Sequence, residues 1–487
     1  MATAGSVIRA AEPAQAMKRT EGLTREQDEA LLAVGPIDGR YRARTRALVP
    51  YFSEYGLIRY RLRIELEWLL GLADNPALDA IGPLKPLDRQ RLRALYTEFT
   101  VADARRVKEL EGATNHDVKA LEYFLKEKTA AVGIPLPLEM IHFACTSEDI
   151  SNLAWALILK EFVTAELAPT LERIVDRLGA MARRYKRVPM LARTHGQEAS
   201  PTTVGKELAI FAYRLERQLA QLRRQEYLGK ANGAVGNFNA HRFAYPGVDW
   251  IGHSRRFVEN LGLVWNPLTT QIESHDFLAE LFQLLGRIGT IAISFSRDIW
   301  GYVALGYFKQ KTVAGEVGSS VMPHKVNPID FENCEGNLGV ANALFAHLAA
   351  KLPIARWQRD LSDSSAMRAM GNACGHLAIA LDSLGRGLGK LELDEARLAA
   401  DFAQDKSWEV VAEAIQTLMR RYGFEQPYER LKELTRGRPV SHQLIEEFVA
   451  TLPLDDAARA ELARLTPANY LGFAAELVER FTPGGSK

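Results

Sequence analysis

The stretch "DFLAELFQLLGRIGTIAISFSRDIWGYVA" (residues 276–304) decides the fold class. No proline occurs between Asp276 and about Lys309, and apolar residues occupy most faces of a helix drawn through this segment. At about 1.5 Å per residue such a helix would be roughly 50 Å long. A helix that is apolar all round must be surrounded by other helices. Three polar side chains interrupt the run and argue against a membrane span: Glu280, Gln283 and Arg287.

Helical periodicity also dominates the rest of the chain. In "KELAIFAYRLERQLAQLRR" (206–224) apolar residues recur at steps of three and four. Asn152–Lys186 and Asp330–Leu352 are also predicted to be helical, and Pro169 is expected to kink the first of them. Strand-like alternation is nearly absent. The pattern predicts an all-α fold with a central bundle of long helices, and its large apolar surface favours a bundle shared between subunits.

Length and composition limit the architecture and the partners. The chain has 487 residues, which at roughly 150 residues per domain predicts about three domains. A formal net charge of +1 gives no broad field to attract nucleic acid or a membrane, so the expected partners are small molecules or copies of the chain. Three cysteines without a CxxC pair favour a reducing cytoplasm. The predicted divisions are a disordered extension, an N-terminal helical domain, a central bundle and a C-terminal helical domain: 1–25, 26–135, 136–388 and 389–487.

Polar stretches interrupt the helices, and those in the first third of the chain have both a structural and a functional explanation. In "PIDGRY" (36–41), the last two residues, Arg40 and Tyr41, either form a turn or bind an anionic group. In "TNHDVKA" (114–120), Thr114 is expected to cap the next helix, which explains the polar residues of this stretch but not His116.

Two further stretches combine helix signals with reactive groups. "HFACTSEDISNLA" (142–154) begins a helix with a capping pattern at Thr146 and Ser147, and the free N–H groups there suit a carboxylate or a phosphate. "ARTHGQEASPTT" (192–203) joins two long helices. A turn explains its end, where Ser200 and Pro201 are expected to begin the next helix. It does not explain His195, whose side chain suits proton transfer near neutral pH.

The segment "GSSVMPHKVNPID" (318–330) is the most unusual of these stretches. Gly315 and Gly318 allow the backbone to hinge, two serines follow, and a lysine and an asparagine lie between Pro323 and Pro328. This combination predicts a lid that closes reactive groups onto a ligand.

In "RWQRDLSDSSAMR" (356–368), Arg359 and Arg368 lie on either side of the pair Ser364 and Ser365, which suits a phosphate, although a solvated helix face explains the stretch equally well. Gln271, in "TTQIESHD" (269–276), is weaker evidence of a site.

Other chemistries lack their motifs. The sequence contains no HExxH, no clustered Cys/His ligand set, no G-x-x-x-x-G-K-[ST] and no G-x-S-x-G. A dinucleotide site would need strands that are not predicted. No metal and no cofactor are therefore expected.

Together these stretches resemble a known family. "GSSVMPHKVNP" (318–328) is similar to the signature G-S-S-x-M-P-x-K-x-N-P of the fumarase/aspartase superfamily, and within it the chain most resembles the bacterial adenylosuccinate lyases. The resemblance covers residue 33 onward and extends to "YGFEQPYERLKELTRG" and "LTPANYLG" near the end. It implies a three-domain fold whose central bundle is shared across a homotetramer with composite sites. Argininosuccinate lyase, fumarase, or a non-catalytic scaffold of the same fold are the alternatives.

The resemblance also implies a reaction and its residues. The reaction is β-elimination of fumarate from adenylosuccinate, leaving AMP, and from the succinylaminoimidazolecarboxamide ribotide, leaving the aminoimidazolecarboxamide ribotide. His195 resembles the general acid of the family, Ser319 the general base, and His116 a substrate-binding histidine. The other positions that match substrate-contacting residues are Arg40, Tyr41, Asn115, Asp117, Thr146, Ser147, Gln271, Lys325, Val326, Asn327, Asn333, Arg359, Ser364, Ser365, Ala366, Met367 and Arg368.

Overall fold

The computed structural model describes residues 25–134, 136–311, 326–435 and 440–483. Ser319, Lys325 and the predicted extension up to residue 24 lie outside the described residues. Within these ranges the chain is all-α, as predicted, with a few short strands.

The N-terminal part is built from helices that lead into the first long helix of the bundle. They are α1 (Arg25–Leu32), α2 (Arg42–Thr45), α3 (Val49–Phe52), α4 (Glu54–Ala73), α5 (Pro86–Thr97), α6 (Val101–Thr114) and α7 (Asp117–Val132), with single 3₁₀ turns at Arg46–Leu48, Asp79–Ile81 and Leu138–Met140. Helix α4 buries most of its length, Trp68 included, against the core.

The central part contains the long helices. They are α8 (Ser147–Phe162), α9 (Ala168–Arg184), α10 (Val204–Leu222), α11 (Asn239–Ala244), α12 (Trp250–Asn260), α13 (Asp276–Ala304), α14 (Ile329–Lys351), α15 (Ser362–Met367) and α16 (Met370–Lys390). Within the bundle α9 packs on α10, α10 on α13, α13 on α14, and α14 on α16. The helices predicted around residues 206–224 and 330–352 are confirmed as α10 and α14.

The long apolar helix predicted from residue 276 is confirmed as α13, with one difference at its end. It stops at Ala304 rather than near Lys309, because Gly306 adopts a left-handed φ of 77° and the chain turns into a strand. By length and composition α13 is the one described helix able to cross a membrane, a test that core helices of bundles also pass. In the most apolar 18-residue segment of α13, 61% is buried inside the structure.

The helical run from residue 147 to residue 184 is also confirmed, and its irregularity has a defined form. A π-helical turn, Val163–Leu167, joins α8 to α9 directly before Pro169. Proline has no N–H to donate and its ring crowds the preceding turn, so a wider turn relieves the conflict without ending the helix.

The connection between α9 and α10 differs from the prediction. Ser200 and Pro201 do not begin a helix: they lie in β2 (Gln197–Thr203), which pairs antiparallel with β1 (Pro189–Thr194). Helix α10 begins only at Val204, where the Thr203 hydroxyl accepts the Lys206 N–H. The pairing register shifts after Leu191, and such an irregularity is where a sheet tolerates a proline without a ladder N–H.

The C-terminal part consists of shorter helices around a second, smaller core. Its helices are α17 (Glu395–Phe402), α18 (Ala412–Arg421), α19 (Pro427–Thr435), α20 (His442–Thr451), α21 (Asp456–Ala463) and α22 (Ala474–Phe481), with a 3₁₀ segment at Asp405–Val411. The remaining strands are β3 (Leu228–Gly229), β4 (Val264–Trp265), β5 (Phe308–Gln310) and β6 (Leu391–Leu393). Leu191 of β1 belongs to the second core, so the hairpin packs on the C-terminal part.

Helix α16 runs through Lys390, past the predicted boundary at 388, and the domain boundaries stay predictions.

Candidate active site

The N-terminus of α8 has the predicted capping geometry. Thr146 is the N-cap, and its N–H donates to Asp149 Oδ2 at 2.8 Å in a reciprocal capping box. His142 and Ala144, just before the cap, both have left-handed backbones, with φ of 61° and 57°. Non-glycine residues adopt this conformation only where the surroundings fix it. Thr146 and Ser147 are therefore held rigidly at the positive end of a helix.

A buried ion pair that the sequence reading did not identify holds this helix end. Lys230 Nζ lies 2.9 Å from Asp149 Oδ1, and the two side chains are 0% and 1% exposed. The N–H groups of Asn232 and Gly233 also donate to Asp149, at 3.0 and 3.1 Å. The only signal in the sequence is a lysine inside the otherwise uncharged stretch "YLGKANGAVG" (227–236).

The same loop reaches the predicted residue Gln271. Asn232 Nδ2 donates to Thr269 Oγ1 at 2.8 Å, and Gln271 Nε2 donates to the Ala234 carbonyl at 3.1 Å. The Gln271 N–H donates to the carbonyl of Gln358 at 3.3 Å. Gln271 thus connects the loop below α8 with the segment that carries the predicted arginines.

Arg359 lies in the centre of that segment. Its guanidinium donates to Asp363 at 2.8 Å and to Ser364 at 3.2 Å, and lies 3.2 Å from Glu148 Oε1. Burial raises the pKa of Glu148 above its usual value, against the opposing effect of Arg359. The Arg359 charge is therefore shared between two carboxylates.

The neighbouring positions on α15 differ in exposure. Ser365 is exposed, whereas the side chain of Met367 is 2% exposed and belongs to the main core. Arg368 is half exposed and lies 3.5 Å from Glu54 and 3.8 Å from Asp117. Of the predicted positions here, Met367 can offer a ligand only its backbone, and Ala366 offers only a methyl group and its backbone.

The stretch 114–120 has a different cap from the one predicted. Thr114 is the last residue of α6, and His116 caps α7 by accepting the Lys119 N–H at Nδ1, 3.2 Å away. Asn115 takes the left-handed position between the helices, with φ of 52°. The histidine that capping did not explain is itself the cap, which leaves its Nε2 for a ligand.

Asp117 joins this cap to the cluster around Arg359. It lies 2.8 Å from Arg61, and although burial alone would raise the pKa of Asp117, Arg61 lowers it overall. Arg61 also acts electrostatically on Glu148. The predicted residues of 115–117, 146–147, 271 and 359–368 therefore form one connected group, which we call the main cluster.

Two other predicted positions form a separate pair. Asn333 Nδ2 donates to the Tyr41 hydroxyl at 3.2 Å, and this hydrogen bond, with the charge of Arg40, lowers the pKa of Tyr41. Asn333 is in turn held by the Ser383 hydroxyl at 2.6 Å. None of the described hydrogen bonds or ion pairs joins this pair to the main cluster. Val326 and Asn327, near the start of α14, are described, but Ser319 and Lys325 are not.

His195 occupies a third position, at the exposed tip of the β1–β2 hairpin. His195 and Gly196 both have positive φ, 54° and 77°, between the paired residues Thr194 and Gln197. Two positive φ values in a two-residue loop are those of a type I′ turn, whose first position favours Asn, Asp or Gly. Within the described part of the chain, no hydrogen bond or ion pair links His195 to the main cluster or to Tyr41.

A pH dependence follows from the pair that supports the α8 cap. His142 Nδ1 lies 2.6 Å from Glu65, which is fully buried; burial would lower the pKa of His142, but the Glu65 carboxylate raises it overall. A raised pKa gives stability that is full below about pH 6.5 and is lost as pH rises through the folded-state pKa. We expect His142→Asn, which suits the left-handed backbone, to lower the thermal midpoint more at pH 6 than at pH 9. An equal decrease at both pH values would contradict a charged His142.

Comparisons with known proteins identify the family of the chain. A lyase family model matches residues 39–342, and a model of the adenylosuccinate lyase C-terminal domain matches residues 355–471. The chain is 53% identical to the adenylosuccinate lyase of Vibrio cholerae over 453 residues, covering 93% of this chain and 99% of that protein. It is 52% identical to that of Escherichia coli K12 over 450 residues, covering 92% and 98%.

Solved structures show the same fold at low identity. A fumarate lyase from Mesorhizobium sp. BNC1 has a TM-score of 0.72 at 19% identity, covering 91% of this chain and 98% of that chain. The 3-carboxy-cis,cis-muconate lactonizing enzyme of Pseudomonas putida has a TM-score of 0.69 at 22% identity, covering 90% and 96%. With two family models and relatives near 50% identity over almost its whole length, the chain belongs to the adenylosuccinate lyase family.

Proposed function

We propose that this chain releases fumarate from adenylosuccinate to give AMP, and from the succinylaminoimidazolecarboxamide ribotide to give the aminoimidazolecarboxamide ribotide. The observation that carries this proposal is the identity of about half of all residues to adenylosuccinate lyases over more than nine-tenths of the chain. A net charge of +1 gives no broad field to attract nucleic acid or a membrane, which fits a small anionic substrate in the cytoplasm.

The chemistry explains which side chains are needed. The reaction breaks a C–N bond and removes a proton from a carbon beside a carboxylate, so a second negative charge develops on that carboxylate. Donors that are fixed in advance stabilise such charge most effectively. We assign this task to the segment with Ser319, Lys325 and Asn327. At the N-terminus of α8 the Thr146 N–H is already bonded to Asp149, and we assign Ser147 and the Thr146 hydroxyl as further donors for an anionic group.

The two proton transfers need a base and an acid. We assign Ser319 as the base, and its hydroxyl can act near pH 7 only if Lys325 and neighbouring amides stabilise the alkoxide in a site without water. His195 is assigned as the acid that protonates the leaving nitrogen. Its ring is exposed at a hairpin tip and takes part in no hydrogen bond found among the described residues, so both ring nitrogens are available there to a substrate.

The substrate phosphate is expected to depend on Arg368 more than on Arg359. Arg359 is 20% exposed and already bonded to Asp363 and Ser364. Arg368 is 53% exposed, and its nearest carboxylates lie at 3.5 and 3.8 Å, beyond good hydrogen-bonding distance. Arg368 can therefore turn toward a phosphate at little cost, whereas Arg359 mainly orders the segment.

We also propose a homotetramer in which each site draws on several subunits. The proposal is supported by the division of the predicted residues among the main cluster, the Tyr41–Asn333 pair and the hairpin tip. A second observation is a stripe of exposed, mostly small residues along α14: Gly336, Gly339, Val340, Ala343, Ala346, His347 and Ala350. Small side chains on a long helix allow a helix of another subunit to approach closely.

The function itself is tested by direct assay. Purified protein is mixed with adenylosuccinate and the loss of its ultraviolet absorbance is followed, with AMP and fumarate identified in the product. We expect turnover without added metal or cofactor, and argininosuccinate and malate serve as control substrates. Turnover of a control substrate in place of adenylosuccinate would contradict the proposed function.

The role of His195 is tested by His195→Asn, which separates chemistry from folding. Asparagine fits the left-handed position of a type I′ turn better than histidine, so we expect an equal or higher thermal midpoint. Turnover should fall by about 10²–10⁴-fold, the usual share of a positioned acid. Activity within a few-fold of the natural protein would remove His195 from the mechanism.

Shared sites are tested by mixing inactive variants. His195→Ala removes the acid, and His116→Asn changes the main cluster while keeping a residue that caps α7 well. If each site combines subunits, hybrid tetramers contain some sites with neither substitution, and activity should return on mixing. Subunit exchange is checked by co-purification of differently tagged chains. Exchange without recovery would mean that one subunit supplies both residues.

A further inference from the structure

The hairpin that carries His195 is bonded, close to its tip, to residues outside the hairpin, one of which lies in the C-terminal part of the chain. Arg193, two residues before the turn, donates from Nη2 to the Tyr307 hydroxyl at 3.1 Å. The Tyr307 hydroxyl donates to Asp401 Oδ2 at 2.5 Å, and Arg397 donates to the other oxygen of Asp401 at 2.6 Å. Residues distant in sequence thus form one chain of hydrogen bonds, which we call the hairpin anchor.

The centre of the hairpin anchor is buried and its hydrogen bonds have fixed directions, whereas the arginines at its two ends, Arg193 and Arg397, are 26% and 40% exposed. Tyr307 is 0% exposed and Asp401 5% exposed. Burial, and then the hydrogen bond to Asp401, raise the pKa of Tyr307, so its hydroxyl keeps the proton that it donates. Buried polar groups that lose a partner are costly, so these side chains have little freedom to rearrange.

The anchor also lies where three parts of the fold meet. Tyr307 follows α13 of the bundle and directly precedes β5, and its carbonyl accepts the Asp394 N–H at 2.8 Å, just before α17. Strand β5 pairs with β6 of the C-terminal part, and Leu191 of β1 belongs to the C-terminal core. The orientation of β1 relative to the bundle therefore depends on this junction.

We propose that Arg193, Tyr307 and Asp401 are positioning residues that aim the imidazole of His195. The proposal rests on the assignment of His195 as the acid under the proposed function. None of the three needs to contact substrate. Arg193 is only two residues from His195, so a shift of Arg193 moves the turn with it, and a displacement of about 1 Å can cost on the order of 10² in rate.

The proposal is tested by Tyr307→Phe, with Tyr302→Phe as the matched control. The Tyr302 ring stacks on that of Tyr307 with centroids 6.2 Å apart, and its hydroxyl takes part in none of the hydrogen bonds found among the described residues. We expect Tyr307→Phe to lower kcat by about 10–100-fold, within the range for a misplaced acid, while KM changes less than about twofold. Tyr302→Phe should leave both constants unchanged.

A double substitution shows whether the effect passes through His195. In a His195→Ala background Tyr307→Phe should change the residual kcat by less than about twofold, because there is no imidazole left to position. An equal loss in both backgrounds, or a Tyr307→Phe enzyme no slower than the Tyr302→Phe control, would overturn the proposal. Arg193→Lys, which keeps the charge without the planar fork, should give the same pattern if Tyr307→Phe fails to fold.

The outcomes also separate this proposal from the proposed function. A natural chain that does not convert adenylosuccinate would refute the function. A fully active His195→Ala enzyme would refute the acid assignment, and the positioning proposal with it. An inactive His195→Ala enzyme together with an unaffected Tyr307→Phe enzyme would refute the positioning proposal alone.

Discussion

The buried ion pair between Lys230 and Asp149 is the interaction on which the arrangement of the site most depends. Two opposite charges with 0% and 1% exposure lose nearly all of their hydration, and this loss is offset only if their remaining bonding capacity is filled. Asp149 meets this condition by accepting three N–H groups as well as the ammonium. One of those groups belongs to the cap of α8 and two belong to the loop below it. A single carboxylate therefore fixes the helix end and the loop relative to each other.

This constraint explains how a site can be rigid although its parts come from loops. The long helices supply the apolar burial that stabilises the fold, because their apolar side chains face each other inside the bundle. Many of the polar residues occur where helices begin or end, and there the backbone takes left-handed conformations at His142, Ala144 and Asn115; left-handed His195 lies instead at the hairpin tip. Buried ion pairs and caps hold most of these positions, so the helices provide stability and the helix ends provide chemistry.

Much of this organisation was predictable from the sequence. Helix α10 follows from apolar residues at steps of three and four, and α13 from a long proline-free run that is apolar on most faces. The helical run from 147 to 184 and α14 were also predicted. The cap at Thr146 could also be predicted, since Thr followed by Glu and Asp before an apolar run is a capping pattern that satisfies the free N–H groups of a helix start. Membership of the family followed from the match to the signature segment.

Other features depend on tertiary contacts and could not be predicted in this way. Ser200 and Pro201 resemble a helix start, but pairing with β1 places them in a strand, which the local sequence does not encode. His116 was unexplained because histidine is an uncommon cap, and only the 3.2 Å contact to Lys119 shows its role. Lys230, Arg61 and Asp401 were not identified at all, because the partners of a buried charge lie far away in sequence. Met367 matches a substrate position by motif, but its side chain lies in the core.

The fold by itself does not determine the substrate, and the division between bundle and polar segments shows why. A lactonizing enzyme and a fumarate lyase have the same fold at 22% and 19% identity, so the packing of long helices tolerates replacement of about four-fifths of the residues. The residues that select the substrate in each enzyme of this fold must then lie in segments that the bundle holds in place. The side chains of these segments are not needed for the stability of the bundle. Arg368 meets this description: it is half exposed, directly follows the short helix α15 and has only loose ionic partners. Arg359 does not, because removing it would leave Glu148 and Asp363 buried without their cation. Specificity for the phosphorylated part of the substrate is therefore expected to vary first at positions such as Arg368, where a change alters recognition without loosening the cluster beneath it.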